Sequence, residues 1–347
     1  MWLYLTKRII AMIPTLIGVL TITFLITQFV PGGPIEHALN KMDSSADDVS
    51  EGAWTYTASQ RVTPQQVQEL KVMYGFDKPL PERYWDMMKN FSHFDLGQSY
   101  FRTQSVWTLI KSRLAVSVSL GVWTFLLTYL ISVPLGVSKA VRAGSRFDMV
   151  TTLLVLFGYA VPGFVLGVLL ILLLGGGSFL DIFPLRGLVS DNWDSLNWHA
   201  KITDYLWHVT LPVIASVVSN FALKTLLTKN TFLDEINRQY VLTARAKGLS
   251  EGRIMWKHVF RNAMLPLITS FPGTFIAAFF TGSLLIETLF SLNGMGLLSF
   301  ESINNRDYPV VLGTLYIFTL IGMFTRLIGD IAYVLADPRI KFDAQET

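Results

Sequence analysis

Cysteine is absent from the 347 residues. That excludes disulfides, thiol catalysis and cysteine-bound iron–sulfur clusters, and it leaves any extracytoplasmic loop without staples. Charge is scarce as well: Asp, Glu, Lys and Arg make up 15% of the chain, where a soluble globular protein carries roughly 25%. Too little polar material is present to coat a water-exposed surface. No G-x-x-x-x-G-K-[ST] phosphate loop occurs, since Gly175-Gly176-Gly177-Ser178 lacks the lysine. His37, His93, His199, His208 and His258 show no metal-ligand spacing, and neither HExxH, G-x-S-x-G nor a triad order is found. No enzyme activity is expected of this chain. A formal net charge of +3 and a pI near 8.9 are too mild to argue for nucleic acid.

What is abundant is apolar surface, with 51% hydrophobic residues and a mean hydropathy of +0.44. A bilayer core of about 30 Å needs about 20 apolar helical residues. Six runs of roughly that length appear: Ile9 to Val30, Ala115 to Val137, Met149 to Leu174, His208 to Leu223, Met264 to Ile286 and Pro309 to Leu335. The fourth could extend through Lys224 by snorkelling. The first is too long for a signal-peptide core and is followed by Pro31-Gly32-Gly33-Pro34 rather than a small-x-small cleavage site, so it reads as an uncleaved anchor.

Orientation follows from Lys and Arg, which concentrate in cytoplasmic loops. With the N-terminus inside, Lys7 and Arg8 are cytoplasmic, as are Lys139, Arg142 and Arg146 and the seven basic residues from Lys229 to Arg261. Arg339 and Lys341 put the C-terminus on the same side. Domains then read as an anchor at 1–30, a periplasmic region at 31–114 and a five-helix core at 115–347. In the periplasmic region Thr63-Pro64-Gln65-Gln66 opens a helix whose face carries Val67, Leu70 and Tyr74 and which Gly75 ends. A second helix carries Tyr84, Met87 and Phe91, and Asp43 to Gly52 reads as an exposed loop.

The runs themselves hold little charge, namely His208 and Lys224 at the edges of the fourth and Arg326 and Asp330 in the sixth. This counts against a proton-coupled carrier. Arg326 and Asp330, four residues apart, read as a self-neutralising pair rather than a gate. Tyr159 to Gly163 and Ser270 to Gly273 could open helices beside a path, but Gly163 and Gly167 fit helix packing better. Thr281, Gly282 and Ser283 form a polar step in the fifth run and are candidates for lining the path.

The cytoplasmic segment at 228–262 is the most informative. Leu233, Ile236, Tyr240 and Ala244 recur at helical spacing with charges on other faces, so an amphipathic helix leaves the membrane. Gly248 suits a left-handed cap, after which Leu249 to Arg261 starts a second, basic helix. Thr243, Ala244, Ala246 and Gly248 are small enough to let another protein approach. From the residues alone, docking to a protein and lying on anionic lipid both remain open.

Here the chain resembles the binding-protein-dependent ABC importer permeases, whose cytoplasmic EAA loop carries a glycine. The stretch from Tyr240 to Leu249 departs from the general pattern, with Leu242 and Thr243 where Glu and Ala are named. Gly248 also lies farther from Leu265-Pro266. Both departures resemble the dipeptide and oligopeptide branch, as do Tyr74 to Pro79, Asp95 to Phe101, Arg306 to Val310 and Asp337 to Phe342. Pro31 to Pro34, Ile182 to Ser190, Leu227 to Glu235 and Phe290 to Gly296 resemble a subgroup associated with oligopeptide and microcin C uptake.

The resemblance implies an all-α integral membrane fold of the type I importer kind, with six transmembrane helices, a periplasmic insertion after the first and a cytoplasmic coupling helix. It implies that Tyr240, Thr243, Ala244, Arg245, Ala246, Lys247, Gly248, Leu249 and Ser250 dock a separate ABC ATPase. ATP and Mg would bind that ATPase, this chain holding no cofactor. A second homologous permease would complete the path and a periplasmic peptide-binding protein would deliver oligopeptide, with both termini cytoplasmic in the bacterial inner membrane. The rival readings are a stand-alone secondary transporter or channel, and a structural membrane scaffold.

Overall fold

The computed structural model describes residues 2–30, 33–35, 68–69, 71–72, 74–177, 179–280 and 284–336. The expected loop at Asp43 to Gly52, the helix start at Thr63 to Gln66 with Val67 and Leu70, and the tail basic residues Arg339 and Lys341 lie outside them. The described residues are helical and joined by turns. In chain order the helices are α1 (Trp2–Phe29), α2 (Leu80–Ser92), α3 (Val106–Val141), α4 (Arg146–Ala160) and α5 (Gly163–Leu174). A 3₁₀ turn at Trp193–Ser195 precedes α6 (Trp198–Ile236), α7 (Gln239–Ala246) and α8 (Glu251–Ile254). A π-helical segment (Met255–Val259) leads into α9 (Phe260–Ala263) and α10 (Leu265–Phe280), and then come α11 (Leu284–Leu289), α12 (Met295–Asn304) and α13 (Tyr308–Ala336).

Among the described residues four helices are long and apolar enough to cross a membrane: Leu5–Phe29, Val106–Val141, Trp198–Ile236 and Tyr308–Ala332. They correspond to the first, second, fourth and sixth apolar runs, and α6 overshoots its run because helix propagation does not stop where apolarity does. The third run is not one straight span. It is α4 and α5, bent by 93° at the break between them. Val161 before Pro162 is extended, with φ −87° and ψ 116°, because the proline ring disfavours helical backbone in the preceding residue. The fifth run holds α10 and the start of α11, and Thr281, Gly282 and Ser283 between them lie outside the described residues.

Local signals account for several ends. Ser145 caps α4, its Oγ accepting from the Asp148 amide at 3.2 Å, and Asn197 caps α6 by accepting from Ala200 N at 2.9 Å. Gly75, at φ +70°, ends its helical turn as expected, with Phe76 N donating to Lys71 O at 2.7 Å.

The chain divides into two compact units, one of Met1–Leu5, Arg113–Leu297 and Ile321–Thr347, the other of Thr6–Ser112 and Leu298–Leu320. In the second unit α2 carries Tyr84, Met87 and Phe91 as expected. Tyr84 Oη meets Thr21 Oγ1 of α1 at 2.7 Å, and Phe91 is buried with its carbonyl accepting from Tyr316 Oη at 3.0 Å. Asp307 is buried there too, and accepts from Tyr100 N at 3.0 Å and from Ser99 Oγ. Burial pushes the Asp307 carboxyl above its ordinary value against the hydrogen bonds from Ser99 and Tyr100.

In the first unit the core gathers Val209, Leu211, Val213, Ala215 and Val217 of α6 with Leu120, Ile286 and Phe290. Glycines set the close approaches. A Cβ on Gly163 would lie 2.7 Å from Ser219 Oγ and 3.0 Å from Ala215 O, and one on Gly167 would lie 2.7 Å from Leu289 Cδ2. Gly163 and Gly167 thus pack closely, as expected, and the helix also opens at Val161 and Pro162, within the stretch from Tyr159 to Gly163.

Candidate functional site: the turn at Gly248

The apolar stripe read as one helix from Leu233 to Ala244 is two. α6 ends at Ile236, and α7 begins at Gln239 after Asn237 and Arg238. The face survives the break, because Val241 and Ala244 of α7 are buried with Phe232 of α6, Ile254 of α8, Val259 and Ala263. Tyr240, Leu249 and Phe260 pack around them. Burial of these side chains, each contributing on the order of 1 kcal/mol or more, welds the turn to the end of α6.

Polar contacts hold the same pieces. Tyr240 Oη donates to Glu235 Oε2 at 2.6 Å, and burial, then the Glu235 carboxylate, push its hydroxyl pKa upward. Arg245 Nε and Nη2 donate to Glu251 Oε1 and Oε2 at 2.5 and 3.0 Å. This fork spans the turn from α7 to α8, raising the Arg245 pKa and lowering that of Glu251. Both side chains are exposed, so the pair fixes geometry more than stability.

Gly248 sits at φ +78° with its amide donating to Arg245 O at 2.9 Å, and Leu249 N donates to Ala244 O at 3.3 Å. A side chain there is disfavoured by backbone strain, not by crowding: no atom lies within 4 Å of where a Cβ would stand. Thr243, Arg245, Ala246, Lys247, Gly248 and Ser250 are all exposed, together with Leu242 at 53% and Trp256 at 72%. The nine expected coupling residues all fall within the stretch from Tyr240 to Ser250, where Ala244 is buried, Tyr240 and Leu249 are partly so, and the other six are exposed. The three expected path residues are not described.

Two features go beyond the sequence reading. Lys139, counted as a loop charge, is fully buried, its Nζ 3.0 Å from Asp148 Oδ1 and donating to Thr151 Oγ1 and Thr152 Oγ1 at 2.9 and 2.6 Å. Lys229 reaches both Asp148 oxygens at 2.8 Å. One carboxylate on α4 therefore binds lysines from α3 and α6 in the unit that carries the turn. The second feature is Lys224, which donates to Thr274 Oγ1 of α10 at 3.1 Å and lines a cavity. A lysine at the edge of an apolar run was the available signal for Lys224. For Lys139 and Asp148, flanking two different runs, none existed.

Residues 132–342 match the family described as binding-protein-dependent transport system inner membrane component. The chain is 52% identical to the inner membrane ABC transporter permease protein YejB of Escherichia coli O157:H7, over 99% of each chain. It is 51% identical to the peptidoglycan transport system permease protein YejB of Agrobacterium fabrum, again over 99% of each. To the oligopeptide transport system permease protein AppB of Bacillus subtilis it is 32% identical, over 98% of this chain and 99% of that one.

Proposed function

The chain belongs to the family of binding-protein-dependent transport system inner membrane components, and on that premise we propose that it is the permease subunit of an ATP-driven peptide importer. The observation that carries the reading is likeness over essentially the whole chain to permeases, one of them named for oligopeptide transport. A multi-pass protein of the inner membrane fits the long apolar helices. Microcin C-like peptides are the finer part of the proposed substrate range.

Coupling runs through the turn. The exposed backbone from Thr243 to Ser250 docks a separate ATPase subunit, which binds ATP and Mg, and nucleotide-driven closure displaces α7. Because α7 shares a buried cluster with α6 and α8, it moves as one piece with the end of a membrane helix. A second homologous permease completes the path, and a periplasmic binding protein brings the peptide. Both termini are cytoplasmic, on the same side as the turn.

The test uses the importer reconstituted with its companions in liposomes, reading ATP-dependent uptake of a labelled tripeptide. Gly248→Asp places a side chain on the docking surface and strains φ, and uptake falls at least about tenfold. Gly248→Ala carries only the strain, about 1–2 kcal/mol for an L residue in this region, and retains more uptake than Gly248→Asp. Undiminished uptake by Gly248→Asp refutes the docking role. Peptide movement through this subunit alone, without nucleotide, refutes the importer reading in favour of a channel or secondary transporter.

A further inference from the structure

A cavity of about 490 Å³ opens in the unit of Arg113–Leu297, between α3, α5, α6, α10 and α11. Lys224 enters it from α6. Among the described residues the ammonium has one hydrogen-bond partner, Thr274 Oγ1 at 3.1 Å, and stands 5.4 Å from the centre of the Tyr129 ring. No carboxylate of the described residues comes within ion-pair distance of it. The contrast with Lys139 is direct, since that lysine has a carboxylate, a carbonyl and two hydroxyls around it.

A second observation stands apart from the lysine. Thr128 is 5% exposed, and neither its Oγ1 nor the buried Tyr129 Oη finds a hydrogen-bond partner among the described residues. Both residues line the same cavity. Buried hydroxyls are ordinarily paired, so two open ones beside an uncompensated ammonium describe a site built for something that accepts hydrogen bonds and bears negative charge. The opposite end carries Glu287, whose carboxylate is already held by Ser117 Oγ at 3.1 Å and Leu297 N at 2.8 Å. From Ser117 to Tyr129 along α3 the rise is about 18 Å, so anion and cation stand at opposite ends.

We propose that this cavity is a subsite for the carboxylate of a peptide in transit, with Lys224 as its counter-charge and the Thr128 and Tyr129 hydroxyls as donors. The proposal rests on the peptide-importer reading. It names Lys224, which no feature of the cytoplasmic turn requires.

The experiment uses the complete importer in liposomes, with trialanine and trialanine C-terminal amide as probes and KM for uptake as the readout. Each variant is compared with wild type separately for each peptide, so discrimination by the binding protein cancels. Lys224→Met raises KM for trialanine about tenfold or more, the worth of a charged hydrogen bond, and leaves KM for the amide unchanged. Lys224→Arg keeps KM for trialanine within about threefold. Lys224→Gln removes the charge while keeping a donor, and gives the same result should the methionine variant fail to assemble. Equal effects of Lys224→Met or Lys224→Gln on acid and amide overturn the subsite and make Lys224 a packing residue. Absence of ATP-driven uptake of either peptide by wild type overturns the importer reading instead, and this proposal with it.

Discussion

Replacing Asp148 by Asn tests whether the buried charge cluster holds α3, α4 and α6 together. The cluster contains two lysines and one carboxylate, with side-chain exposures of 0% for Lys139, 18% for Lys229 and 9% for Asp148. The amide oxygen of the substituted side chain still accepts from Gly144 N, the 3.1 Å bond of the native carboxylate, but two ammonium groups are left facing each other without a counter-ion. Removing one partner of a buried pair costs about 3–5 kcal/mol. Lys139→Met is milder, because Asp148 keeps Lys229 at 2.8 Å and the remaining pair is neutral; its cost is about 1–2 kcal/mol in lost hydrogen bonds. The double variant, with Lys229 as the lone charge, is more stable than Asp148→Asn alone, a positive coupling in the double-mutant cycle. The assay is unfolding of the purified protein in mixed micelles titrated with sodium dodecyl sulfate and followed by tryptophan fluorescence. Should Asp148→Asn cost no more than Lys139→Met, the charge argument fails and the cluster is merely well packed.

Gly136→Ala destabilises the protein by about 1–3 kcal/mol through overpacking, because its Cβ would stand 2.5 Å from Thr228 Cβ and 2.8 Å from Thr225 O, on residues that are themselves fully buried. The same micelle titration reads it, and an unchanged midpoint contradicts the contact. For Asp307 the sign runs toward acid. Its carboxyl titrates above the ordinary value in the fold, so its contribution is fully present below the ordinary carboxylate pKa and is lost as pH rises through the folded one. Asp307→Asn removes that component, and stability measured from pH 3 to 7 falls less steeply with pH than in wild type. An identical slope in the variant contradicts it.

Local rules were legible wherever one residue type has a conformation to itself. Gly75 and Gly248 were readable as left-handed caps because L side chains avoid that region, and both sit there, at φ +70° and +78°. Apolar runs located the long helices but not their extent or direction. Hydropathy is blind to a bend, so the run from Met149 to Leu174 read as one span; the 93° break falls where Tyr159 to Gly163 signalled an opening, with Val161-Pro162 as the local reason. The stripe from Leu233 to Ala244 predicted the buried face and missed the interruption at Asn237 and Arg238, since the face continues across it. Asp148 with Lys139 and Lys229 was out of reach for a different reason. Each flanks or ends a separate apolar segment, and only the folded arrangement of three helices reveals that charges suited to a loop are buried against each other. Lys224 was visible as an anomaly, but its contact with Thr274 and its place on a cavity wall depend on which neighbours α6 acquires.

What joins the turn to the cavity is α6 itself. Its 39 residues rise about 58 Å in one unbroken helix, carrying Lys224 on the cavity wall, Lys229 in the ion cluster and Phe232 in the hydrophobic weld to α7. From Lys224 to Phe232 the rise is about 12 Å, so the three features occupy little more than two turns. A displacement of α7 cannot be absorbed by the weld, whose side chains are buried, without opening apolar surface to solvent. It passes to α6 and thence to Lys229, where α4 and α3 are tied in through Asp148 and Lys139. α3 is also held to α6 by Ser132 Oγ, which donates to Phe221 O at 2.9 Å, and by the close approach of Gly136 to Thr225 and Thr228. The ion cluster therefore adds to ties that already join the helix carrying Thr128 and Tyr129 to the helix carrying Lys224.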